Sequence, residues 1–260
     1  MTTRTRTHPT IDVSSFPLSD GKPVAETLAN MVQMYDLMYS LHRLLAAQGR
    51  TRIAIGGNQF LYYNRHNQRD NLSPDTYVAL DVAPAPRNVW FTWVEGKCPD
   101  VVFEITSPST EKNDLSMGPR GKLRLYAELG AREYFVYDPQ LVMRPILKGF
   151  ELRDDQFESL PMLPTGGIMS PLLRAELRPM VMPQGEQRPA GTYLRVFDAA
   201  TGQPCPVYDE HVAQAEGRAA LEEQARRAAE EAAAQAQERA MTAEAELREL
   251  RAALTRQQEQ

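Results

Sequence analysis

Apolar residues along the chain change their period several times, and each change marks an element. Over residues 23–48 they recur at helical spacing. Leu28, Met31, Val32, Tyr35, Met38 and His42 form one stripe, and Leu37, Leu41 and Leu44 form a second. A helix apolar over so much of its circumference is expected to be buried on two sides, with His42 as a core histidine. Gly49 ends it. The period then shortens to two. Residues 51–55 and 59–63 read as strands broken at Gly56-Gly57, and 76–80 as a short strand after Pro74-Asp75. Residues 89–94 read as a further strand. Residues 100–106 contain VVFEI, apolar on both faces, as a central strand would be. A helix is predicted over 121–129, closed by Gly130, and an apolar strand over 133–137. A hairpin over 146–160 turns near Asp154-Asp155, and 191–197 with the Thr201-Gly202 turn forms a last small β element.

This order of helix, strands, helix and strand predicts the α/β class, a mixed central sheet flanked by helices. From about Asp209 the chain lacks proline, has Gly217 as its one glycine, and consists mainly of Ala, Glu, Arg and Gln. It reads as one long C-terminal helix. Leu247, Leu250 and Leu254 are spaced by three and four, a heptad-like seam. Carried backward, that register meets alanines and then breaks at Arg226 and Glu222. A self-associating coiled coil and a solvated single helix both fit. The expected organisation is a loose arm over 1–22, rich in Thr, Ser, Pro and Arg, a globular domain over 23–208, and the helix over 209–260.

Composition narrows the class. Hydrophobic residues make up 42% of 260, enough for a packed core, and no run approaches the length of a membrane span. No apolar leader opens the sequence. Cys98 and Cys205 are the only cysteines, and neither pairs with a nearby Cys or His. They read as packing residues in a reducing cytoplasm. The net charge is −5, whereas nucleic-acid binders tend to be basic. The tail from 212 to 260 carries 7 Lys+Arg against 10 Asp+Glu, so its −3 leaves −2 for the rest. Proteins that hold a metal between carboxylates also read as acidic.

Three placements bear on chemistry, each with a plainer reading beside it. Asp75 heads an apolar strand; it is also an ordinary turn residue after proline. Alternation puts Val102, Glu104 and Thr106 on one face of a buried strand. A carboxylate there needs a metal, a cation or several donors; a structural ion pair would serve equally. Lys122 shares a helix face with Leu125, Tyr126 and Leu129, where a lysine snorkelling at the stripe's edge is the alternative. Taken together, two carboxylates from neighbouring strands and a lysine from the packed helix suit phosphodiester hydrolysis. Such oxygen ligands suit Mg²⁺, and an ammonium can hold the attacking water or offset developing charge. Other positions carry plainer roles. Asp81 lies at a strand end and Asp100 is a cap or turn. Ser107 and Thr110 shape a loop, Tyr126 and Tyr134 are core, and Trp90 and Trp93 are packing rather than base-stacking residues. The Gly56-Gly57-Asn58 run is too weak a signal for a phosphate loop.

The stretches SPDTYVALDV, WVEGKCPDVVFEITSPST and GKLRLYAELGAREYFVYDP resemble the Uma-type restriction endonuclease family of the PD-(D/E)XK nuclease superfamily. The likeness runs from about Ala25 to Pro206, with 99–139 as its specific part. It implies a restriction-endonuclease-like core and a Mg²⁺-dependent endonuclease acting on DNA, with Mn²⁺ as a substitute. Products with a 5′-phosphate and action as a homodimer, aided by the C-terminal helix, are also implied. By the same resemblance Asp75 takes the place of the motif's first aspartate and Glu104 that of its strand carboxylate. The lysine slot two residues on holds Thr106, and Lys122 matches the position to which the lysine moves in this family. Glu26 matches a helix glutamate that completes the metal site, while Asn30 stands where a histidine is usual. The segment DLSMGPRGK is longer than in relatives, which bears on the reach of Lys122. A second reading keeps the fold without the catalysis: a nucleic-acid-binding or adaptor protein whose helical tail recruits partners. DNA and RNA are not separated at this level.

Overall fold

The computed structural model describes residues 13–18, 27–186 and 188–258. They divide after Tyr208 into two compact units. The first begins with a short 3-10 turn at Val13–Ser15. Then come α1 (Leu28–Ala47), β1 (Ile53–Gly56), β2 (Leu61–Tyr62), β3 (Asn71–Leu72), β4 (Thr76–Leu80), β5 (Trp90–Phe91) and α2 (Thr92–Glu95). They lead to β6 (Val101–Ile105), α3 (Glu111–Asp114), α4 (Lys122–Glu128) and β7 (Glu133–Tyr137). The remainder is β8 (Leu147–Arg153), β9 (Gln156–Ser159), β10 (Ile168–Ser170), β11 (Ala175–Met182) and β12 (Gly191–Asp198). The last element is α5 (Tyr208–Gln258), a helix of 51 residues, and the second unit is this helix from Asp209 onward.

The fold is α/β, as the order of elements predicts. Its main sheet runs β1-β4-β6-β7-β8-β9. β6 and β7 are parallel and the other neighbours antiparallel, so the sheet is mixed. β4, β6 and β7 are buried at every position, because the sheet is covered on both faces. On one face Val78, Val101, Phe103 and Phe135 pack against Leu37, Leu41 and Leu45 of α1 and against the β10-β11-β12 sheet through Leu177 and Val196. On the other, Val102, Tyr134 and Val136 pack against Leu123 and Tyr126 of α4.

α1 differs from its expected burial. The helix starts at Leu28, capped by the Thr27 side chain on the Asn30 N–H. Leu37, Leu41 and Leu44 form its core face, but Leu28, Met31, Tyr35 and His42 are exposed. The second buried side is polar. Gln33 exchanges hydrogen bonds with both the N–H and the carbonyl of Leu194, and Ser40 donates to the carbonyl of Pro206. The β12 sheet is therefore sewn to α1 by side-chain amide and hydroxyl groups, which an apolar periodicity does not register.

Several β elements are new or shortened. β10 and β11 lie in a segment without strong alternation, and Pro179 sits inside β11, a residue that argues against a strand in sequence. The 89–94 strand is only Trp90–Phe91; Thr92 then opens a single helical turn, stopped by Gly96 at φ 76°. By contrast the predicted hairpin forms as β8 and β9. Asp154 and Asp155 both adopt positive φ (47° and 62°), the conformation a two-residue hairpin turn demands.

Candidate active site

Strand register brings the carboxylates together. β4 pairs antiparallel with β6, Thr76 opposite Phe103, so Asp75, one residue before, arrives level with Glu104. The Asp75 carboxylate accepts a hydrogen bond from the Ile105 N–H at 2.6 Å, which fixes it at the strand end. Gly57 supports this position from behind: a Cβ there would stand 2.1 Å from the Asp75 carbonyl oxygen. That approach is open to glycine alone, which gives the Gly56-Gly57 break a packing role.

Glu104 points to the α4 face, on the same side as Val102 and Thr106, and is buried at 2% exposure. Each of its oxygens has a donor. Lys122 Nζ reaches Oε2 at 2.8 Å and Tyr126 Oη donates to Oε1 at 3.0 Å. Lys122 opens α4 directly after Gly121, whose missing side chain lets the Ser116 carbonyl come within 2.0 Å of the Cβ position. The longer segment between Asp114 and Lys122 is thus folded tightly back, and Lys122 reaches the strand without difficulty. Tyr126, four residues on, follows it on the same helix face, so it is both core and site.

Asp114 was not among the candidates in sequence, yet it completes the cluster. It lies buried at the end of α3, and Lys122 Nζ is 3.1 Å from its Oδ1. Thr106 donates to Asp114 Oδ2 at 2.7 Å, and Tyr134 to the Asp114 carbonyl at 2.9 Å. Thr106 therefore holds the carboxylate that lies beside Lys122. Only the alternation of Glu104 and Thr106 on one strand face hinted at this; the four-residue α3 leaves no periodic signal.

Asp75, Glu104, Asp114 and Lys122, with Asn30 and Met34 of α1, line a cavity of about 250 Å³. Glu26 lies outside the described residues. Asp81 is exposed at a strand end with φ 60°. Asp100 is buried, accepting from the Leu80 N–H and paired with Lys97 at 2.6 Å. Trp90 is buried, its indole N–H on the Lys97 carbonyl, and Trp93 packs on Phe16 and Phe91. None of these four lines the cavity.

The electrostatics follow from two buried carboxylates sharing one ammonium. Burial raises the Glu104 pKa; Lys122 opposes this, and the charges of Asp75 and Asp114 add to it. For Lys122, burial disfavours the charge, but Glu104 and then Asp114 more than offset it, so its pKa is raised. Lys122 is thus a fixed cation at neutral pH, whereas burial favours the protonated form of Glu104 until further positive charge arrives.

The family model described as "Uma2: Putative restriction endonuclease" matches residues 16–178, more than half of the chain. The chain belongs to the Uma2 family. The match spans Asp75, Glu104, Asp114 and Lys122, and with them α1 and the whole main sheet through β9. The Uma2 core is of the restriction-endonuclease-like type, and α5 lies outside the matched residues. No curated protein matches the chain. Among the described residues no helix is long and apolar enough to cross a membrane.

Proposed function

We propose that the chain is a divalent-metal-dependent endonuclease that hydrolyses phosphodiester bonds of DNA. The observation that carries this is Glu104: a fully buried carboxylate, level with Asp75 and sharing one ammonium with Asp114. A structural ion pair would need one carboxylate per cation, and a surplus of buried negative charge is costly unless a cation enters.

The residues fit such an ion. Among the described residues no three Asp, Glu, His or Cys side chains converge as a closed cage. Mg²⁺ does not require one, since it is commonly held by one or two carboxylates with retained waters. Asp75 and Glu104 would hold it, with Glu26 as a third ligand; Mn²⁺ would substitute. When bound, the ion polarises the scissile phosphate and lowers the pKa of a bound water.

The protein's own groups do the rest. Lys122 is protonated and cannot take the water's proton. One of its three N–H donors is held by Glu104, and the ammonium lies 3.1 Å from Asp114 Oδ1, which accepts no hydrogen bond; a remaining donor would orient the attacking water or bind a phosphoryl oxygen. There it offsets the charge that develops as water oxygen bonds to phosphorus and the P–O3′ bond breaks. Tyr126 keeps the Glu104 carboxylate in one rotamer. Lys122 also lines a neighbouring groove of about 880 Å³ that contains Arg69, Arg120, Asn67 and Asn71. Cations and amides of this kind position a phosphate backbone, and they supply locally what the overall −5 charge lacks.

The reading is tested with supercoiled plasmid. The wild type nicks it in Mg²⁺ or Mn²⁺ and not in EDTA, and Asp75→Asn loses at least about 10²-fold of that rate. A wild type that cuts under no divalent-ion condition returns the chain to the adaptor reading. Two copies acting together through α5 would cut both strands. In sedimentation, the full chain should then run as a dimer and a 1–208 fragment as a monomer; the same association state for both removes that role from the helix.

A further inference from the structure

At the other end of the main sheet, four arginines line one concavity of about 530 Å³: Arg50, Arg52, Arg132 and Arg174. Leu80 and Asp81, at the far end of β4 from Asp75, also line it. The five residues of β4 span roughly 17 Å, so this is a separate place from the Glu104 cavity.

The arginines are carried by three turns, each held by its own backbone contacts. Arg50 and Arg52 follow α1, where the Arg50 N–H bonds the Leu45 carbonyl at 2.9 Å. Arg132 precedes β7, its N–H on the Asp100 carbonyl at 2.8 Å. Arg174 sits in the β10–β11 turn. There the Leu172 N–H donates to buried Glu133 at 2.9 Å, and Gln48 of α1 donates to the Leu173 carbonyl at 2.9 Å. The three turns are therefore fixed to one another, while the guanidinium-bearing residues Arg52, Arg132 and Arg174 remain exposed.

Their charge is little answered locally. Arg52 bonds the carbonyl of Asp81 at 3.2 Å, a neutral acceptor. Arg132 lies 3.9 Å from Asp100, which Lys97 already holds at 2.6 Å. Asp81 is the one carboxylate among the described residues lining the concavity. Four positive charges thus gather in a chain whose net charge is −5.

We propose that this concavity binds a ligand carrying at least two adjacent phosphoryl groups. Guanidinium is planar, permanently charged and matched in its N–H fork to phosphate oxygens. Several of them on a rigid base can engage two phosphoryl groups at once. Ile53, Leu80 and Leu172 give the same concavity an apolar side, and its volume suits a nucleotide-sized ligand. The phosphoryl groups can come from a free nucleoside polyphosphate or from consecutive phosphates of a nucleic-acid strand.

The test is calorimetric titration of inorganic pyrophosphate, and then ADP, into the full chain in EDTA at low salt. One site is expected. Affinity should fall about tenfold or more in Arg132→Gln and in Arg174→Gln, the loss of one charge-assisted contact. Asp75→Asn should leave it unchanged, so this result stands apart from any failure of cleavage. If a short DNA duplex displaces pyrophosphate, the site serves a nucleic-acid backbone. If ADP displaces it and the duplex does not, the site serves a free nucleotide. No binding of pyrophosphate or ADP to the wild type, or equal affinity in both arginine variants, overturns the proposal.

Discussion

In metal-free buffer, Lys122→Met should unfold more easily than the wild type by about 3–5 kcal/mol. The substitution keeps the length and apolar stem of the side chain, so packing between α4 and the sheet is retained. What is lost is the ammonium that lies 2.8 Å from Glu104 and 3.1 Å from Asp114. Asp114 is left buried without that cation, while Glu104, whose pKa Lys122 held down, takes up a proton more readily; burial of an unanswered charge ranks among the largest single-residue penalties. Part of the lost stability should return on adding millimolar Mg²⁺ or Mn²⁺, because a divalent ion replaces the missing positive charge. Cleavage should stay at least about 10²-fold down, since the ion does not replace a directed N–H donor. Thermal denaturation with and without EDTA checks the first part and plasmid nicking the second. A variant as stable as the wild type in EDTA would mean that Lys122 does not occupy this pocket in solution.

Glu104→Gln should do the opposite to stability and more to activity. Glutamine can accept from Lys122 through its amide oxygen and donate to the Tyr126 hydroxyl through its amide nitrogen, and it removes one of the two carboxylates competing for Lys122. Without metal the variant should be more stable at pH 8 by about 2 kcal/mol, roughly 4–8 °C in Tm for a domain of this size. The sign depends on pH in a defined way. Burial pushes the Glu104 pKa from 4.5 up to about 8. A carboxyl whose pKa is raised by folding contributes stability at low pH and loses it as pH rises from its unfolded value through its folded one. The Tm advantage of the glutamine variant should therefore be absent near pH 4.5 and grow up to about pH 8. Equal pH profiles for the two proteins would show that Glu104 titrates normally and is not the strained group described.

Much of this site was legible in sequence because its parts lie on strongly patterned elements. β4, β6 and β7 are short, apolar on both faces and bounded by Pro, Asp or Gly, so a carboxylate within VVFEI stands out against its neighbours. Lys122 stands out likewise on the apolar stripe of α4. Asp114 did not, because α3 is a single turn and what defines its role is a hydrogen bond from Thr106 across eight residues. Thr106 itself read, by resemblance, as an empty lysine slot, whereas it donates to the carboxylate that lies beside Lys122. The exposed stripe of α1 misled for a related reason. Counting apolar positions gave weight to Leu28, Met31 and Tyr35, whereas the second buried side is held by Gln33 and Ser40. In the β10–β11 segment the core residues Ala175 and Leu177 do alternate with the Glu176–Arg178 ion pair, but the alternation is short and Pro179 follows it, a residue that argues against a strand.

The most direct measurement is a calorimetric titration of Mn²⁺ or Mg²⁺ into wild type and Glu104→Gln, with plasmid nicking run on the same two samples. The account predicts metal binding and nicking in the wild type, and loss of both in a variant that is folded and no less stable. A folded Glu104→Gln protein that still binds the ion and still cuts would contradict it.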